Sequence, residues 1–159
     1  EFVDDFTDLF LKDKYTYDEV GVILAHEFAH YRLKHIFKLI AVNSLVTLGL
    51  FYLIFKTSSY SLAVFKLNSL LQVSSLPLVF LYFILFGIIS GPLEAYVSRR
   101  FEKEADLLAL AVTADKEAFI SLMEKLAQQN LADRNPHPVI KFFFYNHPPI
   151  DERIRFVSK

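Results

Sequence analysis

The sequence predicts a mainly α chain with two transmembrane helices and a small N-terminal strand element. Three observations carry this. Hydrophobic residues make up 53% of the 159 residues and the mean hydropathy is +0.32, both high for a soluble domain. Two long apolar runs, 36–55 and 76–93, stand in the middle of the chain. No Asp or Glu occurs between Glu27 and Glu94, while both ends are rich in them. The length suits one domain, 1–159.

Residues 1–15 alternate apolar side chains with Asp and Lys, which reads as a short strand and a turn. Thr16-Tyr17-Asp18-Glu19 has capping-box spacing, so a helix should begin there, with Val20, Ile23, Leu24 and Phe28 on its apolar side. Residues 36–55 follow; twenty helical residues at about 1.5 Å each span roughly the 30 Å hydrocarbon layer. Lys38 near their start can snorkel. Residues 76–93 carry no charge and form the second span. The competing reading is two buried core helices of a soluble protein. Residues 94–112 read as helix, and 115–130 as an amphipathic helix capped by Thr113 or Asp115. Residues 131–148 read as irregular, and a last helix should start near Pro149. There is no repeat, low-complexity tract or linker. The start at Glu1-Phe2, without Met or a signal-peptide pattern, reads as a piece of a longer chain.

Charge sets orientation. The loop 56–75 holds only Lys56 and Lys66, whereas Arg32, Lys34, Lys38, Arg99, Arg100 and Lys103 flank the outer ends of the spans. The positive-inside tendency puts those outer ends in the cytoplasm. The net charge of −1 gives no sign of a nucleic-acid partner, and the absence of Cys excludes disulfides and thiolate metal sites.

His26-Glu27-Phe28-Ala29-His30 has the pattern H-E-x-x-H. On a helix the two imidazoles share a face and can reach one zinc ion, while Glu27, rotated about 100°, lies beside the metal and can act as general base. The bland alternative is a solvated helix face with two histidines. A catalytic zinc needs a third protein ligand. Glu102 and Asp106, four apart on one helical face, offer a ligand and an acceptor for the far nitrogen of a liganding histidine. A surface helix with i,i+4 charge pairing would look the same. Glu104 competes as ligand but points about 160° from Asp106. His35 lies five residues beyond His30, about 140° round a continuous helix, and is no natural ligand of the same ion.

The chain resembles the catalytic core of the type I CAAX prenyl proteases and their bacterial relatives, which include the HtpX heat-shock proteases. The resemblance rests on H-E-x-x-H, two intervening spans, and Ser98-Arg99-Arg100-Phe101-Glu102-Lys103-Glu104-Ala105-Asp106. It also rests on Asn130-Leu131 and on Asn146-His147-Pro148-Pro149-Ile150-Asp151-Glu152-Arg153-Ile154. It covers nearly the whole chain from Glu19. Ala29 stands where many members have Gly, Asn146 replaces a frequent Ser, and Lys103 sits where an aromatic is usual. That last change suggests a wetter surrounding.

The resemblance implies a gluzincin-like metallopeptidase core embedded in a membrane, with one Zn2+ held by His26, His30 and Glu102. It selects Glu102 over Glu104 as third ligand. It makes Glu27 and His147 catalytic, His147 as a hydrogen-bond donor to the substrate carbonyl or oxyanion, although a loop histidine before Pro-Pro is the plain alternative. Asn130 is a candidate for contact with substrate backbone, and Arg153 for support of His147 or binding of a substrate carboxylate. A helix C-terminal Asn and a surface pair of Arg153 with Glu152 or Asp151 are their ordinary readings. His137 reads as structural, and Phe142-Phe143-Phe144-Tyr145 as pocket wall or membrane-interface packing.

Three functions are compatible. One is removal of the C-terminal tripeptide of prenylated CAAX-type substrates, another is HtpX-like quality control of membrane proteins. The third is a non-catalytic membrane scaffold descended from the enzyme. The first is favoured by the PHP and YNHPPIDERI tail. The expected partners are a peptide or protein substrate, prenylated in the first reading, and membrane lipid. The expected location is integral and multi-pass, with the active site on the cytoplasmic face. The N-terminal strand would hold extended substrate by edge pairing.

Overall fold

The chain was described by a computed structural model covering residues 14–131 and 133–158. Six α-helices occur in these residues: α1 (Tyr17–Arg32), α2 (His35–Val64), α3 (Leu76–Thr113), α4 (Lys116–Gln129), α5 (Pro138–Phe144) and α6 (Ile150–Ser158). A 3-10 turn, Val73–Ser75, precedes α3. The fold is mainly α, and no strand occurs among the described residues. The expected N-terminal strand falls on residues 1–13, outside the described residues.

The chain divides into two compact units, Glu1–Ile36 with Ala95–Lys159, and Phe37–Glu94. In the first, α4 packs against α1 and α6. Phe119, Leu122 and Met123 of α4 meet Val22 of α1 and Val157 of α6. Each such side chain contributes about 1.5–3 kcal/mol on burial. The start of α1 forms as its sequence predicts. The Thr16 hydroxyl accepts from the Glu19 amide (3.3 Å) and the Glu19 carboxylate accepts from the Thr16 amide (2.8 Å), closing a capping box. Glu19 is also buried against α4, where it accepts from Ser121 and Lys125 at 2.6 Å each. Val20 and Val22 are buried, whereas Leu24 and Phe28, expected on the same side, are about half exposed. Contact with α4 is what sets the buried stripe.

The N-cap of α4 is Asp115, whose carboxylate accepts from the Ala118 amide at 2.8 Å. Thr113 instead bonds back to the Ala109 carbonyl. A short helix, α5, lies where irregular chain was expected. Pro138 fits its first turn, where the missing N–H costs nothing, and His137 Nδ1 accepts from the Val139 amide. Arg99 donates to the carbonyls of Lys141 and Tyr145, tying down its C-terminal end. The turn-like Asn135-Pro136-His137-Pro138 concealed this helix from a pattern reading.

The second unit is a pair of apolar helical segments. Among the described residues, two stretches are long and apolar enough to cross a membrane, His35–Val64 and Val73–Thr113. Little of either is buried, and Leu45, Leu48, Phe55 and Ile89 are largely exposed. A core helix of a soluble protein would hide these side chains. Helix α2 runs nine residues past the expected end at 55. Thr57 and Ser61 bond back to the carbonyls of Leu53 and Thr57, which satisfies their hydroxyls within the helix. Both hydroxyls also lie 2.7 Å from the Tyr82 hydroxyl of α3.

Candidate metal centre and active site

Helix α1 presents His26 and His30 one turn apart, with Nε2 atoms 3.1 Å from each other. The later part of α3 brings Glu102 to both. Its Oε2 is 3.4 Å from His26 Nε2, and its Oε1 is 3.5 Å from His30 Nε2. Tetrahedral zinc with bonds near 2.05 Å requires donors about 3.3 Å apart, so this triangle fits the ion. Alanines keep the surrounding helices close: Ala29, Ala105 and Ala109 are fully buried.

A second observation supports a cation. Glu102 Oε2 is buried and lacks a well-directed hydrogen bond. Two imidazole nitrogens nevertheless lie near it, His26 Nε2 and His147 Nδ1, the latter at 2.9 Å. A bare carboxylate oxygen facing nitrogens at these distances is an acceptor that a metal ion would satisfy. Two neutral histidines and a carboxylate are the donor set zinc takes in catalytic centres.

Behind the triangle, Asp106 is completely buried, with Oδ1 3.0 Å from His26 Nδ1. That contact is short but not straight enough for a well-directed hydrogen bond. Arg153 of α6 grips the same carboxylate through two bonds, Nε to Oδ2 at 2.8 Å and Nη2 to Oδ1 at 2.6 Å. Burial pushes the His26 pKa down, but the Asp106 and Glu102 carboxylates outweigh it and raise it to about 9. Burial lowers that of His30.

Glu27 is exposed on α1 and lines a cleft of about 220 Å³ together with His26, Glu102 and His147. His147, in the loop before α6, is largely exposed at the mouth of the triangle. A neighbouring cavity of about 470 Å³ shares His147, Arg153 and Leu126 with the cleft and is also lined by Asn130, Phe144 and Tyr145. Asn130 is the C-cap of α4. The structure thus brings His26, Glu27, Glu102, Asp106, His147 and Arg153 to one cleft, with His30 beside His26 and Glu102 in the donor triangle, and sets Asn130 in the adjoining cavity. Arg153 lies on Asp106 rather than in a surface pair with Glu152 or Asp151.

Two residues gain a place that spacing did not suggest. Helix α1 stops at Arg32, and Lys34 takes a left-handed conformation (φ 56°). This turn brings His35 back against His30, Nδ1 to Nδ1 at 3.1 Å. Glu104, weighed as a ligand, lies on the far side of His35, with Oε2 3.3 Å from its Nε2. The absence of Gly or Asn at the helix end hid the break, since a left-handed cap favours those residues.

Comparison with known proteins places this geometry in a wider group. Residues 6–159 match peptidase family M48. The chain is 32% identical over 145 residues to the uncharacterized metalloprotease YhfN of Bacillus subtilis, an alignment of 89% of this chain and 34% of that protein. It is 30% identical over 151 residues to CAAX prenyl protease 1 homolog of Arabidopsis thaliana, 89% of this chain and 34% of the relative. With CAAX prenyl protease 1 of Saccharomyces cerevisiae it shares 28% over 155 residues, 86% of this chain and 34% of the relative. The chain spans about a third of the length of these curated relatives.

Proposed function

The chain belongs to peptidase family M48, and from that premise we propose that it is the catalytic core of a zinc-dependent endopeptidase working at a membrane. The observation that carries the proposal is the donor triangle of His26, His30 and Glu102, spaced for one ion and backed by Asp106. In this reading residues 1–159 work as one peptidase domain.

His26, His30 and Glu102 would hold one Zn2+. The bound ion would acidify a water molecule and polarise the scissile carbonyl. Everything else falls to the chain's own groups. Glu27, exposed in the cleft beside the triangle, takes the proton of the attacking water and returns it to the leaving amine. His147 donates a hydrogen bond to the substrate carbonyl oxygen as negative charge develops there. Asp106 holds the His26 ring through Nδ1 and leaves Nε2 for the metal. Asn130, in the cavity next to the cleft, binds substrate backbone. Arg153 lines that cavity too, with two of its donors engaged by Asp106.

The substrate is a peptide or protein, and the finer reading is removal of the C-terminal tripeptide from a prenylated CAAX-type chain. Relatives bearing the name CAAX prenyl protease 1 support it, as does the exposed apolar surface of residues 37–94, which suits lipid around the protein. The protein is then a multi-pass membrane protein with its active site on the cytoplasmic face, where six cationic residues flank the spans.

Elemental analysis of detergent-purified protein tests the metal. About one zinc per wild-type chain is expected, lost in Glu102→Ala. Glu27→Gln should keep the zinc and lose activity on a prenylated peptide by about 10²–10⁴-fold. Folded wild-type protein without zinc would refute the reading. Equal cleavage of prenylated and unmodified peptides would move the assignment to quality control.

A further inference from the structure

His35 is fully buried, although it takes no part in the reaction outlined above. Its ring stacks on Phe101, with centroids 4.4 Å apart and planes within 7°, so its orientation is fixed. One edge meets His30 Nδ1 at 3.1 Å and the other meets Glu104 Oε2 at 3.3 Å.

Only one neutral arrangement of protons satisfies both contacts. If His35 carried its proton on Nδ1, its bare Nε2 would face the Glu104 carboxylate, acceptor against acceptor. His30 would then have to accept at Nδ1 and carry its own proton on Nε2. With the proton of His35 on Nε2, that atom donates to Glu104, and Nδ1 becomes an acceptor. His30 then donates from Nδ1 and presents a lone pair at Nε2, the atom 3.5 Å from Glu102 Oε1. The charge of Glu104 decides between the two arrangements.

We infer that His35 and Glu104 are positioning residues, a relay that selects the Nδ1–H tautomer of His30 and aims its Nε2 at the metal. The inference rests on the zinc reading above and deepens it. The two histidines of the triangle are then oriented differently. On its Nδ1 side His26 meets a carboxylate, Asp106, directly, whereas His30 meets one there through a second imidazole. Partners of this kind change metal affinity by about 10–100-fold.

Three variants of the full chain in detergent test it, with zinc affinity measured by chelator competition and the visible spectrum of the Co(II) form as second readout. His35→Phe keeps a ring against Phe101 and removes both polar atoms; it should weaken zinc binding by about 10–100-fold and shift the Co(II) bands. His35→Gln restores an acceptor and a donor and should recover most of that loss. Glu104→Ala changes a partly exposed side chain, so folding is not at risk, and it should weaken binding in the same direction by a smaller factor. If folded His35→Phe and Glu104→Ala both hold zinc within about twofold of wild type, well short of a positioning partner's effect, the relay is wrong. If His35→Phe does not fold, Glu104→Ala alone decides. A wild-type chain that binds no zinc would overturn the zinc reading itself, and the relay with it.

Discussion

Replacing Arg153 by leucine removes one half of a buried ion pair and leaves the other half in place. Asp106 has no exposed surface and Arg153 is 9% exposed, so water cannot take over the lost bonds. Two bonds disappear, at 2.8 and 2.6 Å. Stranding one partner of such a pair costs about 3–5 kcal/mol. His26 Nδ1, 3.0 Å from the same carboxylate, offsets part of this, which favours the lower end. For a chain of this size each kcal/mol is worth about 2–4 °C in Tm, so Arg153→Leu should melt roughly 6–12 °C lower. Thermal unfolding should be followed in detergent with a chelator present, because bound metal would add its own stabilisation. The double variant Asp106→Leu/Arg153→Leu removes the stranded charge and should recover much of the loss. A single variant within about 2 °C of wild type would refute the argument, since that is at most about 1 kcal/mol. A double variant less stable than Arg153→Leu would refute it too.

Two further outcomes follow from the packing. Burial pushes the Glu19 carboxyl up, but hydrogen bonds from Lys125, Ser121 and the Thr16 amide outweigh it and hold its pKa below the usual 4.5. The ionised group therefore adds stability above pH 4.5, and this is lost as pH falls through the lowered folded value; Glu19→Gln should flatten that acid limb in melting curves, and an unchanged limb would count against it. In the unit of residues 37–94, Tyr82→Phe removes the hydroxyl shared by Thr57 and Ser61 and should cost about 0.6–1.7 kcal/mol, read from unfolding in mixed detergent; no change would mean that the two hydroxyls are satisfied by their backbone bonds alone.

Where a structural feature depends on neighbours within a turn or two, it was legible in the amino-acid string. The capping box at Thr16 and Glu19 is such a case, and the cap at Asp115 was one of two that the string offered, beside Thr113. The two apolar helices follow from hydropathy alone. His26 and His30 share a face because four residues make just over one helical turn. Two of the boundaries that pattern missed have a partner distant in sequence. Helix α2 runs on past residue 55 as Thr57 and Ser61 meet Tyr82, and α5 is held by Arg99.

The sequence by itself therefore determined the helical class, the apolar spans and the shared face of His26 and His30, because these rest on helical period, capping and composition, which are local; the choice of Glu102 over Glu104 and the role of His147 were what the family resemblance implied. Only the tertiary structure decided which groups meet. Glu102 reaches His26 and His30 across more than seventy residues, Arg153 closes on Asp106 across forty-seven, and Glu104 finds His35 across sixty-nine. No spacing rule encodes such meetings. They depend on how Phe119, Leu122 and Met123 seat α4 against α1 and α6, and on a left-handed turn at Lys34 that a non-glycine residue adopts. The strength of the Asp106–Arg153 pair depends likewise on burial, which is a property of the packed chain.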